Sequence, residues 1–157
     1  MEARNTWDAD QAAAIIATHA NREGPTLVVL QALQEAFGHV PEAAIPLVAN
    51  ALNLSRAEVH GVFTFYHDLR DKPAGKHVLK LCRAEACQAA GCDDLVAHAE
   101  SKLGVAMGGT TADGRLTLEP VYCLGLCATG PNAMVDDMPL SRLDAASLDR
   151  IAAKVGA

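Results

Sequence analysis

His77-Val78-Leu79-Lys80-Leu81-Cys82-Arg83-Ala84-Glu85-Ala86-Cys87 and Leu116-Thr117-Leu118-Glu119-Pro120-Val121-Tyr122-Cys123-Leu124-Gly125-Leu126-Cys127 each run as a strand into a pair of cysteines. Two couples of thiols therefore leave two strand ends, Cys82 with Cys87 and Cys123 with Cys127. A tetrathiolate site is the leading expectation. The fifth cysteine, Cys92, follows Cys87 at the same interval that separates Cys87 from Cys82. Spacing alone does not choose two of these three, but the symmetry of the strand ends favours Cys82 and Cys87. Cys92 stands against Asp93-Asp94, where nearby carboxylates disfavour a thiolate, and reads as a small packing residue.

Three chemistries compete for four thiols. Structural zinc takes four cysteines, usually in couples two to four residues apart on tight knuckles, and the first couple lies at the long end of that range. Dithiol redox chemistry favours Cys-x-x-Cys, which the chain lacks. A [2Fe–2S] centre takes two thiolates per iron and tolerates longer loops, because its irons are separate atoms. Two couples and two irons match. A Rieske centre needs histidine ligands, and no Cys-x-His occurs. His19, His39, His60, His67, His77 and His98 are scattered without ligand spacing and read as surface or packing residues. Gly91 and Gly125, beside the two couples, either let backbone N–H groups approach sulfur or are ordinary turn glycines.

Around the couples the pattern is mixed. After Cys87 come a helix from about Asp93 to Leu103, a turn at Gly108-Gly109 and the second strand, from about Arg115 to Tyr122. Short strand candidates Ala133–Val135 and Met138–Leu140 and a last helix, Asp144 to Val155, follow the second couple. This βαβ-then-ββα order is the layout of a thioredoxin-like fold.

Upstream, the sequence reads as helices. Gln11–Ala20 is alanine-rich. Pro25 suits the first position of a second helix, with Leu27, Leu30, Gln34 and Phe37 at helical spacing until Gly38. A third helix has its main body at Pro46–Leu52, since proline is poorly tolerated further inside. Ser55-Arg56-Ala57-Glu58 is a capping box opening a fourth. Val59, Val62, Phe63 and Tyr66 on that helix form one face, read first as a buried stripe and second as a docking face. The turn-rich Asp71-Lys72-Pro73-Ala74-Gly75-Lys76 marks a boundary. The expected architecture is α+β: a helical region over residues 1–72, then a thioredoxin-like domain over 73–157.

Composition limits the function. With 157 residues, half of them hydrophobic, the chain can bury a core, and no apolar run reaches the roughly 18 residues that span a bilayer. No signal-peptide pattern opens it, so the expected location is cytoplasmic. A net charge of −6 without clustered Lys and Arg argues against nucleic acid. Cytosolic thiols stay reduced, and an odd count of five fits disulfides poorly. Neither Gly-x-Gly-x-x-Gly nor Gly-x-x-x-x-Gly-Lys-Ser/Thr occurs, so no nucleotide or flavin site is read in this chain. An isolated [2Fe–2S] chain moves single electrons and does not exchange a hydride, so a partner must supply the rest of the chemistry.

Several motifs in order resemble one family. They are Thr64-Phe65-Tyr66, Pro73-Ala74-Gly75-Lys76, Cys82 with Cys87, Thr111-Ala112-Asp113-Gly114-Arg115-Leu116-Thr117-Leu118-Glu119, and Cys123-Leu124-Gly125-Leu126-Cys127. The chain resembles the 24 kDa-type [2Fe–2S] subunits that accompany NADH-binding flavoproteins in complex I, NAD-linked hydrogenases and soluble NAD-dependent formate dehydrogenases. Cys82-Arg83-Ala84-Glu85-Ala86-Cys87-Gln88 is most similar to the gamma subunit of the last. The resemblance implies one [2Fe–2S] cluster on Cys82, Cys87, Cys123 and Cys127, and FMN and NAD in an adjacent NADH-binding subunit. It also implies a larger molybdenum-containing catalytic subunit. The chain itself would hold no complete active site. Thr129-Gly130-Pro131-Asn132 departs from the small-residue-plus-proline pattern common after the fourth ligand, which affects local hydrogen bonding. The rivals are a hydrogenase diaphorase subunit or a complex I subunit, and, in another class, a zinc-stabilised thioredoxin-like binding module.

Overall fold

Ser55 and Glu58 form the capping box their spacing predicts: the Glu58 N–H donates to Ser55 Oγ at 3.2 Å and the Ser55 N–H to Glu58 Oε2 at 2.8 Å. The helix they open is the fourth of a helical unit in a computed structural model that describes residues 6–155. The chain divides into two compact units, Met1–Pro73 and Ala74–Ala157. Residues 1–5 and 156–157 of the expected domains lie outside the described residues.

In the first unit, α1 (Ala9–His19) is capped by Asp8, whose carboxylate accepts the N–H groups of Asp10 and Gln11. α2 (Pro25–Phe37) begins at Pro25 and ends where Gly38 turns left-handed at φ 76°. α3 spans Ala44–Leu52, starting two residues before the expected body. Pro46 is tolerated there because the first-turn N–H groups lack helical partners anyway, and the carbonyl four residues back lies outside the helix. α4 spans Arg56–Phe65. Leu30, Leu33, Phe37, Val48 and Val59 are completely or almost completely buried in one core. Each of the larger ones contributes roughly 1.5–3 kcal/mol by burial. The stripe on α4 turns inward only in part. Val59 is buried and Val62 and Phe63 pack at the core's rim, whereas Tyr66 ends the helix in an extended conformation and is exposed.

The second unit contains β1 (His77–Cys82), α5 (Glu85–Ala89), α6 (Cys92–Leu103), β2 (Leu116–Val121), β3 (Ala133–Val135), β4 (Met138–Leu140) and α7 (Ala145–Val155). The short α5, inside the first cysteine loop, is not foreseen from the sequence; five residues give too little periodicity to read. Asp144 caps α7 rather than belonging to it, accepting the Ser147 N–H at 2.7 Å.

The strand order is β2-β1-β3-β4. β1 and β2 are parallel, and a parallel pair needs a long crossover, which contains α6. β3 runs antiparallel to both β1 and β4. Leu79, Leu81, Leu116, Leu118 and Ala133 form a core with Leu95, Val96 and Ala99 of α6 and Leu148 and Val155 of α7. The β1/β2 register runs from His77 opposite Leu116 to Cys82 opposite Val121. Two parallel strands ending level send both cysteine loops out from the same end of the sheet. The fold is thus α+β, with four strands and seven α-helices among the described residues.

Candidate metal centre

Cys82 closes β1 and is 2% exposed; Cys87, carried by α5, is 1% exposed. Beyond the end of β2 the chain reverses sharply. Cys123 takes φ 85°, a left-handed conformation uncommon for a residue with a side chain, and Gly125 takes φ 77°. Cys127 then opens a single 3-10 turn, Cys127–Thr129. All five cysteines are free thiols, with Cys123 and Cys127 exposed and the other three buried. The contrast follows from strand order: β1 lies between β2 and β3, while β2 is an edge.

Within each couple the sulfurs meet. Cys123 Sγ and Cys127 Sγ are 3.5 Å apart. Two thiolates on one tetrahedral metal, with bonds of about 2.3 Å, stand about 3.8 Å apart, so this couple is sized for a single metal atom. Cys87 donates its thiol to Cys82, and Cys127 lies near enough to Cys87 to be affected by its charge. The second loop also reaches the first couple through its backbone, since the N–H groups of Cys123 and Leu124 point at the Cys82 sulfur. Burial pushes the Cys82 thiol up, but the Ala84 N–H, the Cys87 thiol and those two loop N–H groups outweigh it, and the net direction is down. The Cys87 thiol is pushed up, by burial first and then by donating to Cys82. Cys127 is also pushed up, chiefly because its thiol donates to Cys123. Among the described residues, no group of three or more His, Cys, Asp and Glu side chains is placed to hold a single metal ion.

Cys92 packs beside Cys82 and Cys87 at the head of α6. Its thiol is pushed up by burial first and by the neighbouring Asp93 second. Of the two loop glycines, only Gly125 turns its N–H to sulfur, reaching Cys123 Sγ at 3.3 Å. Gly91 donates instead to Gln88 O and serves as the left-handed residue before α6. His77 pairs with Asp136 at 3.0 Å and His98 with Asp149 at 2.9 Å.

The sequence profile of the thioredoxin-like [2Fe–2S] ferredoxins matches residues 12–156. The chain belongs to the thioredoxin-like [2Fe–2S] ferredoxin family. It is 38% identical over 112 residues to the E-type subunit of the NADH-quinone oxidoreductase of Pseudomonas aeruginosa, a match covering 71% of this chain and 68% of that one. It is 36% identical over 138 residues to the second E-type subunit of the NADH-quinone oxidoreductase of Rhizobium meliloti, covering 88% and 82%. Among solved structures, an NAD+-reducing [NiFe]-hydrogenase in the air-oxidized state superposes with a TM-score of 0.68 at 28% identity, over 80% of this chain and 22% of that chain. This ferredoxin therefore spans about a fifth of the hydrogenase chain it matches. Family and relatives together support a [2Fe–2S] electron-transfer role. No helix among the described residues is long and apolar enough to cross a membrane.

One residue beside the two thiol couples is absent from the sequence-based candidates. Asn132, 3% exposed, directs its side-chain Nδ2 to Cys87 Sγ at 3.5 Å and to Leu126 O at 2.8 Å. Its own carbonyl accepts the Cys82 N–H at 3.0 Å. The available signal is the departure at Thr129-Gly130-Pro131-Asn132, which places an amide just before a short strand. Nothing in the sequence shows that it faces sulfur.

Proposed function

We propose that Cys82, Cys87, Cys123 and Cys127 ligate one [2Fe–2S] cluster, and that the chain is an electron-transfer subunit serving the FMN of an adjacent NADH-binding flavoprotein. The observation that carries this reading is the convergence of two thiol couples at the common end of β1 and β2, one of them measuring 3.5 Å between sulfurs. When bound, the cluster supplies one-electron transfer. Cys82 and Cys87, which are buried, and Cys123 and Cys127, which are exposed, would hold it. The backbone N–H of Gly125, at Cys123 Sγ, gives the ligand shell a donor that counters negative charge. A flavin receives two electrons with a hydride and passes them on singly, so a one-electron site beside it can act as relay or side store.

For the parent complex we propose a soluble, cytoplasmic NAD-dependent formate dehydrogenase with a larger molybdenum-containing subunit. The support is the similarity of Cys82-Arg83-Ala84-Glu85-Ala86-Cys87-Gln88 to its gamma subunit. A second reading, a complex I or hydrogenase subunit, is favoured by the names of the relatives above.

The test is elemental and flavin analysis of the chain purified with its partners, with electron spin resonance before and after reduction. Two irons and two sulfides per chain, a signal appearing on reduction, and flavin confined to the partner are expected. One zinc and no signal would establish the colourless binding module instead. Formate-dependent NAD reduction by the purified complex supports the formate dehydrogenase. Activity with hydrogen or quinone in its place overturns that assignment while leaving the cluster standing.

A further inference from the structure

Asn132 touches both cysteine loops. Its Nδ2 lies 3.5 Å from Cys87 Sγ and 2.8 Å from the carbonyl of Leu126, a residue between the second couple, and its backbone carbonyl takes the Cys82 N–H at 3.0 Å. The segment leading to it is pinned from the other side. Arg142 N–H donates to Thr129 O at 2.8 Å and Leu143 N–H to Pro131 O at 3.0 Å. The amide group is therefore held in orientation, with one N–H on the Leu126 carbonyl and the other on sulfur.

Its remaining polar atom is unexpected. Asn132 Oδ1 is buried with no hydrogen-bond partner, an unfavourable arrangement that a leucine of similar size would avoid. The bond to Leu126 O accounts for one N–H of the amide and ties the loop; the second N–H, aimed at Cys87 Sγ, is what such a tie alone does not require.

We infer that Asn132 is a positioning residue that fixes Cys87 Sγ between the two loops and raises the cluster's reduction potential by donating its side-chain N–H to that sulfur. Reduction adds one negative charge, shared with the ligand sulfurs. A donor to sulfur stabilises the reduced form more than the oxidised one. The inference rests on the ligation proposed above.

The test uses the full chain in its complex, as wild type and as Asn132→Leu, with iron and sulfide counted and the cluster titrated potentiometrically by electron spin resonance. Asn132→Leu is expected to keep the same iron and sulfide content. Poised at the wild-type midpoint, its reduced-to-oxidised ratio should fall by about threefold or more, where tenfold would correspond to about 59 mV for one electron. A second measurement needs no variant. Wild-type protein carrying 15N only in asparagine side-chain amides should show, when reduced, a nitrogen coupling to the cluster in pulsed spin-resonance spectra. An unchanged potential in a cluster-bearing Asn132→Leu, or no such coupling in wild type, overturns the inference alone. Should the variant lose its cluster, the wild-type coupling decides. A wild-type chain without iron overturns the ligation itself, and this inference with it.

Discussion

Gly75 should be costly to replace even by alanine. A Cβ built on it would stand 2.9 Å from both N and C of Leu116 and 3.1 Å from C of Arg115, against a comfortable separation of about 3.5 Å. Every one of these neighbours is backbone, so no side chain can swing aside. Nor can the strands part freely, because Lys76 N–H and His77 N–H are bonded to Gly114 O and Arg115 O. The Gly75 N–H itself donates to buried Thr117 Oγ1 at 2.6 Å. Overpacking costs about 1–3 kcal/mol, and straining that buried hydrogen bond adds about 1–3 kcal/mol. The stiffer unfolded chain offsets about 0.4–1 kcal/mol, for a net loss of about 1–5.6 kcal/mol. Hydrogen-exchange mass spectrometry on peptides from β1 and β2 reads this directly. In the regime where exchange reports stability, protection in Gly75→Ala should fall by about 5-fold to 10,000-fold. Gly75 lies at the end of the sheet opposite the cysteines, so the folded variant should keep its full iron content. A fall in protection below about threefold would refute the clash, and a folded variant without iron would refute the separation of the two ends.

Cys92→Ala should retain full iron at a cost of about 1 kcal/mol for the lost sulfur, whereas Cys82→Ala or Cys123→Ala should not hold the cluster; iron analysis of all three checks the choice of ligands. Asp113 accepts hydrogen bonds from Thr111 Oγ1, the Arg115 N–H and the Arg115 side chain, which together hold its carboxyl down to about 2. A depressed carboxylate contributes stability that is complete above its unfolded value of about 4 and is lost as pH falls through about 2. A side-chain carboxyl titration by NMR should therefore place its midpoint near 2, and Asp113→Asn should abolish it; a midpoint near 4 would contradict the turn geometry. Phe65, 73% exposed and in edge-on contact with Tyr66, is expected to meet a partner rather than the core. Phe65→Ala should weaken co-purification of the proposed flavoprotein partner while leaving unfolding of the helical unit within about 0.5 kcal/mol, and intact assembly would remove its support.

The elements most legible in the sequence are those whose signals are local. Pro25 and Gly38 bracket α2, Ser55 and Glu58 open α4, and the strands ending at the cysteines stand where their composition puts them. What escapes such reading depends on distant partners. α5 is too short to show a period, and Gly91 and Gly125 look alike until the chain is folded, when only the second faces sulfur. The stripe on α4 reads as one face, yet helix length decides where it stops, and Tyr66 falls beyond the last turn. Asn132 belongs to the same class. Its place beside Cys87, 45 residues away in sequence, follows from β3 pairing antiparallel to β1, a long-range fact that no spacing encodes.

The same pairing explains the asymmetry of the two couples. A central strand has neighbours on both sides, so the loop leaving it is covered: β3 and its lead-in residue Asn132 lie on one flank of the β1 end, and the backbone of the second cysteine loop lies on the other. On the outer side of β2 the segment from Gly108 to Thr111 is bonded to Leu116 and Leu118, short of the strand's end, so the loop leaving β2 keeps its outer side in solvent, and Tyr122 beside Cys123 is 73% exposed. Under the proposed ligation, the strand order itself sets which iron is sheltered and which is presented. Electron exchange falls off with distance, and a partner therefore gains most by covering Cys123, Cys127 and Tyr122. Contact there would also remove water from the two ligand sulfurs now open to it, so docking and the environment of the cluster would change together.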